Sequence, residues 1–309
     1  MTGLPTLAEQ FLSYLALQKR YSQHTTASYR LDLQQFFEYM QAVYGPTPLG
    51  EIDAFQVQSW LATGLRGRGE KEDVSAVTIR RKISTLKSFF KFAVREGAIA
   101  QSPMFKVVSP KMRKRLPLFV EEKGMQQMER NEAGGQPLFA DDFDGATRQL
   151  VLDILYQTGI RRAELIGLRH SGISLPNSHI KVLGKGGKER IIPISNHLVA
   201  SIRAYTERKG KELENPDQEY LLVKKDGRRV NEGYVYRTVK AALGQVTTLS
   251  KKSPHVLRHT FATHLVNNGA DINAVKELLG HASLASTQVY THNTIEKLKN
   301  VYKQAHPKA

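Results

Sequence analysis

Three prolines, Pro103, Pro110 and Pro117, punctuate a stretch that carries Lys106, Lys111, Arg113, Lys114 and Arg115 and no acidic residue. No continuous helix can run through it, because each proline removes a backbone donor and clashes with the preceding turn. The chain therefore reads as two domains joined by a positively charged linker, and its 309 residues suffice for two cores. The boundaries drawn from the pattern are 1–97 for a helical domain, 98–117 for the linker and 118–309 for a second domain. A basic linker between two basic domains is well placed to cross a phosphate backbone, although it could also be a solvated spacer.

Before the linker, apolar residues recur at three- and four-residue spacing, which predicts four helices. The first runs from about Leu7 to Gln18. The second carries Tyr29, Leu33, Phe36, Phe37 and Met40 and stops at Gly45-Pro46. A third starts beside Asp53, a residue suited to cap it, and turns Val57, Trp60 and Leu61 inward. The fourth begins near Ser75, aligns Ile79, Ile83, Leu86, Phe89 and Phe90, and ends near Gly97. Such an aromatic stripe is expected to be core rather than a base-stacking platform. On the polar side of the fourth helix lie Arg80, Arg81, Lys87 and Lys91, either a solvated face or one that meets phosphates.

After the linker, helices are expected at about Val120 to Asn131 and Gly145 to Gln157, separated by a surface loop from Asn131 to Asp144. His179 to Leu183 and Glu189 to Ile194 then flank Gly184-Lys185-Gly186-Gly187-Lys188, the pattern of a β-hairpin with Lys185 on its turn. Leu221 to Val223 could add a strand. Helical patterns follow at Glu232 to Leu243, Pro254 to Asn267, Ile272 to Leu279 and from about Thr294. The fold class is thus mostly α with a small β-sheet, in two domains.

The 45 Lys+Arg against 29 Asp+Glu leave a net charge of +16, which points to a polyanionic partner, nucleic acid first. Without cysteine there is no disulfide, no thiolate metal site and no Cys nucleophile. No stretch approaches about twenty apolar residues, and Met1 to Gln10 lacks the order of a signal peptide, so a cytoplasmic protein without membrane insertion is expected.

An ordered set of residues suggests chemistry: Arg161, Lys185, His255, Arg258, His281 and Tyr290. A phosphodiester repels nucleophiles, and its transition state gathers charge on oxygen, so cationic donors must be in place beforehand. Arg161 and Arg258 suit the non-bridging oxygens, since the guanidinium fork keeps its proton at neutral pH. His255 and His281 are further donors, and His255 is also a candidate base. Tyr290 is the nucleophile of this reading, although a free phenol is only about one part in a thousand ionised at pH 7. A lysine on a turn suits the general acid, the role given to Lys185. A covalent phosphotyrosine would conserve the energy of the broken bond, so neither ATP nor a metal cofactor is expected. Each residue alone is commonplace; their order and combination carry the signal.

The phrases Thr158-Gly159-Ile160-Arg161-Arg162-Ala163-Glu164-Leu165, Gly184-Lys185-Gly186-Gly187-Lys188-Glu189-Arg190, Pro254-His255-Val256-Leu257-Arg258-His259, Leu278-Leu279-Gly280-His281 and Tyr290-Thr291-His292 together resemble the tyrosine recombinase family, most closely its bacterial Xer type. The resemblance covers nearly the whole chain. It implies a SAM-like core-binding domain and a catalytic domain that clamp DNA, with Arg161, Lys185, His255, Arg258, His281 and Tyr290 at the family's catalytic positions. It also implies a 3′-phosphotyrosyl link, a freed 5′-hydroxyl and strand exchange through a four-way junction in a tetramer. The tail from Asn300 to Ala309 leans towards the XerC type. That lean implies a XerD-like second recombinase in a heterotetramer on a double-stranded recombination site, and a DNA translocase at the division septum. Lower-ranked DNA contacts are Arg80, Arg81, Lys87, Lys111, Arg113, Lys114 and Arg115. Ile295, Leu298 and Val301 would lie on a helix donated to a neighbouring subunit, or packed on the chain's own body. One departure is Ser171-Gly172-Ile173, where the family usually has an acidic residue; Glu164 is retained and could orient Arg161.

Rival readings are a mobile-element integrase with the same chemistry and a DNA-binding module without catalysis. A metal-dependent phosphoesterase built on His255, His259, His264 and His281 lacks His-Glu-x-x-His and any dense Asp cluster.

Overall fold

Side-chain caps set the helix starts in the first part of the chain. Ser22 accepts from the Thr25 N–H to open α2 (Gln23–Tyr44), which closes at Gly45 with φ of 75° just before Pro46. Asp53 and Gln56 exchange hydrogen bonds of 2.8 and 3.0 Å in a capping box that opens α3 (Ala54–Ser59), continued by a π-turn over Trp60–Gly64. Ser75 caps α4 (Ala76–Arg95), and α1 (Thr6–Leu17) follows Pro5. The computed structural model describes residues 4–64, 74–110, 118–184, 187, 189–280, 301–302 and 304–307, and the chain divides into two compact units, Met1–Arg115 and Leu116–Ala309. Among the described residues no helix is long and apolar enough to cross a membrane.

The aromatic stripe of the first unit is core. Phe36 meets Trp60 edge to face at 5.2 Å, and Phe89 meets Phe11 and Phe37 at 5.6 and 5.7 Å. Within this apolar shell sits Asp32, fully buried, which accepts from Lys82 Nζ at 3.0 Å, Thr85 Oγ1 at 2.9 Å and the Arg81 guanidinium. Lys82 also donates to Gln35 and lies 5.3 Å from the Trp60 ring. The pair pins α2 to α4, because a buried ammonium and a buried carboxylate each lose hydration that the other, with Thr85, Arg81 and Gln35, replaces.

In the second unit α6 (Phe143–Thr158) is the central element. Every residue from Leu150 to Thr158 is buried, so the helix is enclosed on all sides. Around it pack α8 (Asn196–Glu212), α9 (Glu232–Val246) and α10 (Pro254–Asn267), with α5 (Glu122–Glu129), α7 (Arg162–Ile166) and α11 (Ile272–Leu279) at the margins. A three-stranded antiparallel sheet runs β3-β4-β5, with β3 at Ile173–Ser174, β4 at His179–Leu183 and β5 at Glu189–Pro193. The β4–β5 segments pair as the expected hairpin, with Leu183 opposite Glu189.

Three local readings change. The segment from Asn131 to Asp144 is more than a loop: β1 (Glu132–Ala133) and β2 (Gln136–Pro137) pair across Gly134-Gly135, whose φ values of 59° and 79° give the turn a hairpin requires. Leu221 to Val223 is no strand of the sheet but a buried extended segment, bridged at Val223 to Arg229 and held by the Tyr205 hydroxyl. Helix α8 was not anticipated, because its inward stripe is narrow, Leu198, Ile202, Tyr205 and Lys209, in an otherwise polar stretch. Of the C-terminal residues, Tyr302 and Ala305 join the core of their own unit, and the Asn268 side chain donates to the Ala305 carbonyl at 2.9 Å. The residues from Thr294 to Asn300, given to a tail helix, lie outside the described residues.

Removing Asp32 should leave Lys82 charged and unpaired. The expected cost of Asp32→Ala is about 3–5 kcal/mol, while an Asp32→Leu/Lys82→Met double variant should recover most of it. Trp60 is the single tryptophan of the chain, so its emission during denaturant unfolding of the full chain reads the first unit alone.

Candidate active site

The turn that carries the first arginine is made by the end of α6. Gly159 caps that helix in the left-handed region (φ 60°), and a Cβ there would lie 2.4 Å from Phe261 Cδ1 and 2.9 Å from Leu279 Cδ2. Only glycine satisfies both the dihedral and the space. Arg161 follows as the N-cap of α7. It cannot accept from the helix; instead the Glu164 carboxylate reaches back, accepting the Arg161 backbone N–H at 2.7 Å and Arg161 Nη1 at 2.9 Å.

Helix α10 opens with Pro254 as its first residue and carries His255 and, one turn on, Arg258. Arg258 is buried, donating from Nη1 to the Gly159 carbonyl and from Nη2 to the Leu279 carbonyl, both at 2.6 Å. Burial, and then the charges of Arg161 and Arg190, push its guanidinium down to about 10, with Glu164 opposing. It stays protonated at neutral pH. His255 is more exposed. Partial burial, followed by the charges of Lys251, Arg258, Arg162 and Arg161, lowers its pKa, so the neutral imidazole prevails at pH 7.

A third arginine completes the arrangement. From β5, Arg190 sends Nη1 and Nη2 to the two oxygens of Glu164, each at 2.8 Å, and Nε to the Leu278 carbonyl at 2.9 Å. Arg161 Nη2 reaches the Gly280 carbonyl at 3.3 Å. The three successive carbonyls ending α11, of Leu278, Leu279 and Gly280, are thus each met by a different guanidinium, at the negative end of the helix dipole. Burial raises the Glu164 pKa, but the hydrogen bonds and charges of Arg190 and Arg161 outweigh it and hold the carboxyl at about 2. The motif phrase that contains Arg190 does not by itself assign this residue a role. Its signal was its place on the strand face shared with Ile192, an arginine at an inward position.

The structure brings Arg161, His255 and Arg258 together. Lys185, His281 and Tyr290 lie outside the described residues; His281 follows Gly280 directly in the chain. Of the candidate DNA contacts, Arg80 and Lys87 are exposed on one face of α4, joined there by Lys91. Arg81 is half-exposed and bound to Asp32 and the Ser28 carbonyl. Lys111, Arg113, Lys114 and Arg115 lie outside the described residues. Among the described residues no group of three or more His, Asp or Glu could hold a metal ion. His264 faces the core, its Nδ1 at 2.9 Å from the Tyr156 hydroxyl. Two guanidiniums held on backbone carbonyls, beside an imidazole of lowered basicity, offer an arrangement that can receive a tetrahedral oxyanion.

Residues 136–297 match the model of the phage integrase family, and residues 8–97 that of the phage integrase N-terminal SAM-like domain. The tyrosine recombinase XerC of Chlorobaculum parvum is 34% identical, over 97% of this chain and 94% of that protein. The tyrosine recombinase XerD of Listeria monocytogenes is 32% identical, over 98% and 99%. A solved structure of the XerH site-specific recombinase bound to palindromic difH substrate, a post-cleavage complex, shares the fold at a TM-score of 0.67 and 20% identity, over 95% of this chain and 83% of that one.

The depressed carboxyl makes stability depend on pH. Because the folded Glu164 pKa lies near 2, below its ordinary value of 4.5, its contribution is complete above about pH 4.5 and lost as pH falls towards 2. The stability gap between wild type and Glu164→Gln, on the order of 3 kcal/mol at pH 7, should shrink across that window. Unfolding followed by circular dichroism at pH 7, 4 and 2.5 checks it.

Proposed function

This chain belongs to the phage integrase family, the tyrosine recombinases, and we propose that its site-specific recombination proceeds through Tyr290, with Arg161 and Arg258 on the non-bridging oxygens of the scissile phosphate. The observation that carries this reading is the convergence of those two guanidiniums on the Gly159 and Leu279–Gly280 backbone. Their positions are set before substrate arrives, which is what stabilisation of a charged transition state requires. The phenolic oxygen of Tyr290 attacks phosphorus, the bond to the 5′ oxygen breaks, and Lys185 gives that oxygen its proton. The phenolic proton passes to neutral His255, whose lowered pKa suits a base better than a cation. His281 donates to the phosphate. The 3′-phosphotyrosyl link keeps the energy of the broken bond, and attack by a 5′-hydroxyl restores the DNA without ATP or metal.

The biological setting we infer is XerC-like resolution of chromosome dimers at cell division. Near full-length similarity to a protein named XerC supports it, as does the two-part match to integrase models. A XerD-like recombinase would complete a heterotetramer on the double-stranded site, with a septal DNA translocase as a further partner and the cytoplasm as the place of action. The basic linker residues Lys111, Arg113, Lys114 and Arg115 and the α4 face of Arg80 and Lys87 would meet phosphates; Arg81, engaged with Asp32, would contribute less. Recombination at a mobile-element end but not at the host terminus site would move the protein to integrase duty.

Incubation with a nicked cognate half-site, without metal or ATP, should yield an SDS-resistant DNA adduct that Tyr290→Phe abolishes. Arg258→Ala should slow its formation on the order of 10²- to 10³-fold. Bound wild-type protein that forms no adduct would favour a non-catalytic DNA-binding module. Affinity for the half-site should also fall by roughly 10³-fold or more between 50 and 200 mM salt; a shallow response in a filter-binding series would count against an extended basic contact.

A further inference from the structure

We propose that Arg190 is a positioning residue for strand cleavage: it occupies Glu164 so that the carboxylate cannot capture Arg161, and it fixes the turn from which His281 leaves. The proposal rests on the recombinase reading of the site above.

Glu164 offers two oxygens, both buried, with the side chain 5% exposed. Arg190, equally buried at 5%, places one N–H on each oxygen in the parallel fork that suits a carboxylate. What is left for Arg161 is a backbone bond to Oε2 and a single side-chain bond to Oε1. Its other arm turns to Gly280, and its side chain remains 36% exposed. Each Arg161 arm thus gives up one N–H and keeps another for a phosphate, whereas a fork pulled two-armed onto the buried carboxylate would leave the Gly280 carbonyl and swing away from the site. Without Arg190, a desolvated carboxylate short of donors would draw in the nearest fork, which is that of Arg161.

The same residue also serves the other side of the site. Its Nε–H satisfies the Leu278 carbonyl, and its Cδ lies 3.1 Å from where a Cβ on Gly280 would stand. Arg190 therefore ties three elements, the β4–β5 hairpin, α7 beside Arg161, and the end of α11 at Gly280, which directly precedes His281 in the chain. Being buried, it cannot touch a phosphate itself, so its effect must pass through those groups.

The test uses the full chain, a nicked half-site and three readouts: single-turnover adduct rate, half-site affinity and melting temperature. Arg190→Gln should lower the adduct rate by roughly 30-fold or more with affinity kept within about threefold, since ground-state binding is spread over many other contacts. Adding Glu164→Gln to that variant should restore about tenfold of the rate, because a neutral amide no longer captures Arg161. An ordinary structural bridge makes the opposite forecast, with the double variant no faster than the single. A wild-type rate in Arg190→Gln, or a double variant as slow as the single, overturns the proposal while leaving the recombinase reading intact. Wild-type protein that binds the half-site but forms no adduct removes both. Should Arg190→Gln melt below the assay temperature, Arg190→Lys decides. It keeps the charge but cannot serve both oxygens and the carbonyl, so a loss of about tenfold supports the proposal and an unchanged rate sinks it.

Discussion

Three guanidiniums meet three successive carbonyls at the end of α11, around one buried carboxylate, and the geometry of the site descends from that meeting. Like charges brought this close would repel one another. The carbonyls, aligned at the negative end of a helix dipole, and Glu164 supply the opposing field. The balance remains positive: three cations face a single anion, and this excess adds to burial, the larger cause, in lowering the pKa of the Arg258 guanidinium. A region of fixed positive potential already assembled on backbone atoms needs little reorganisation when an anion arrives, and this is the main route by which proteins stabilise charged transition states.

The first unit uses charge in the opposite sense. There Asp32 holds α2 to α4 and engages Arg81 as well, so the cations left on the exposed face of α4 are Arg80, Lys87 and Lys91. In one unit a carboxylate engages a half-exposed arginine for the sake of the fold, whereas in the other a second arginine keeps the carboxylate busy. The residue types are the same, and the number of donors competing for each oxygen decides the outcome.

Periodicity made most of the helices readable in advance, because their apolar stripes are broad and their caps are conventional: Asp53 and Ser75 each begin a helix where the pattern placed one. Helix α8 escaped because only one residue in three or four turns inward and one of those is Lys209, whose ammonium is buried against the Tyr220 carbonyl. The buried segment Leu221 to Val223 looked like a strand since an apolar run carries no information about its hydrogen-bond partners. Arg161, His255 and Arg258 could be picked out by residue type and order. Arg190 shows locally only as an arginine at an inward strand position; its two bonds to an oxygen pair contributed by another element are a relation between distant positions that no local pattern encodes.

The end of the chain adds a linked equilibrium. His306 stacks on Tyr302 at 4.7 Å and packs beside Tyr156 and Phe261, and this burial pushes its imidazole down to about 3 from an ordinary 6.5. Seated there, the ring is uncharged throughout the physiological range. Lifted out, it would regain its usual basicity. Undocking of the terminus is therefore accompanied by proton uptake at any acidity below about pH 6.5 and above 3, and mild acid loosens this anchor while alkali leaves it untouched.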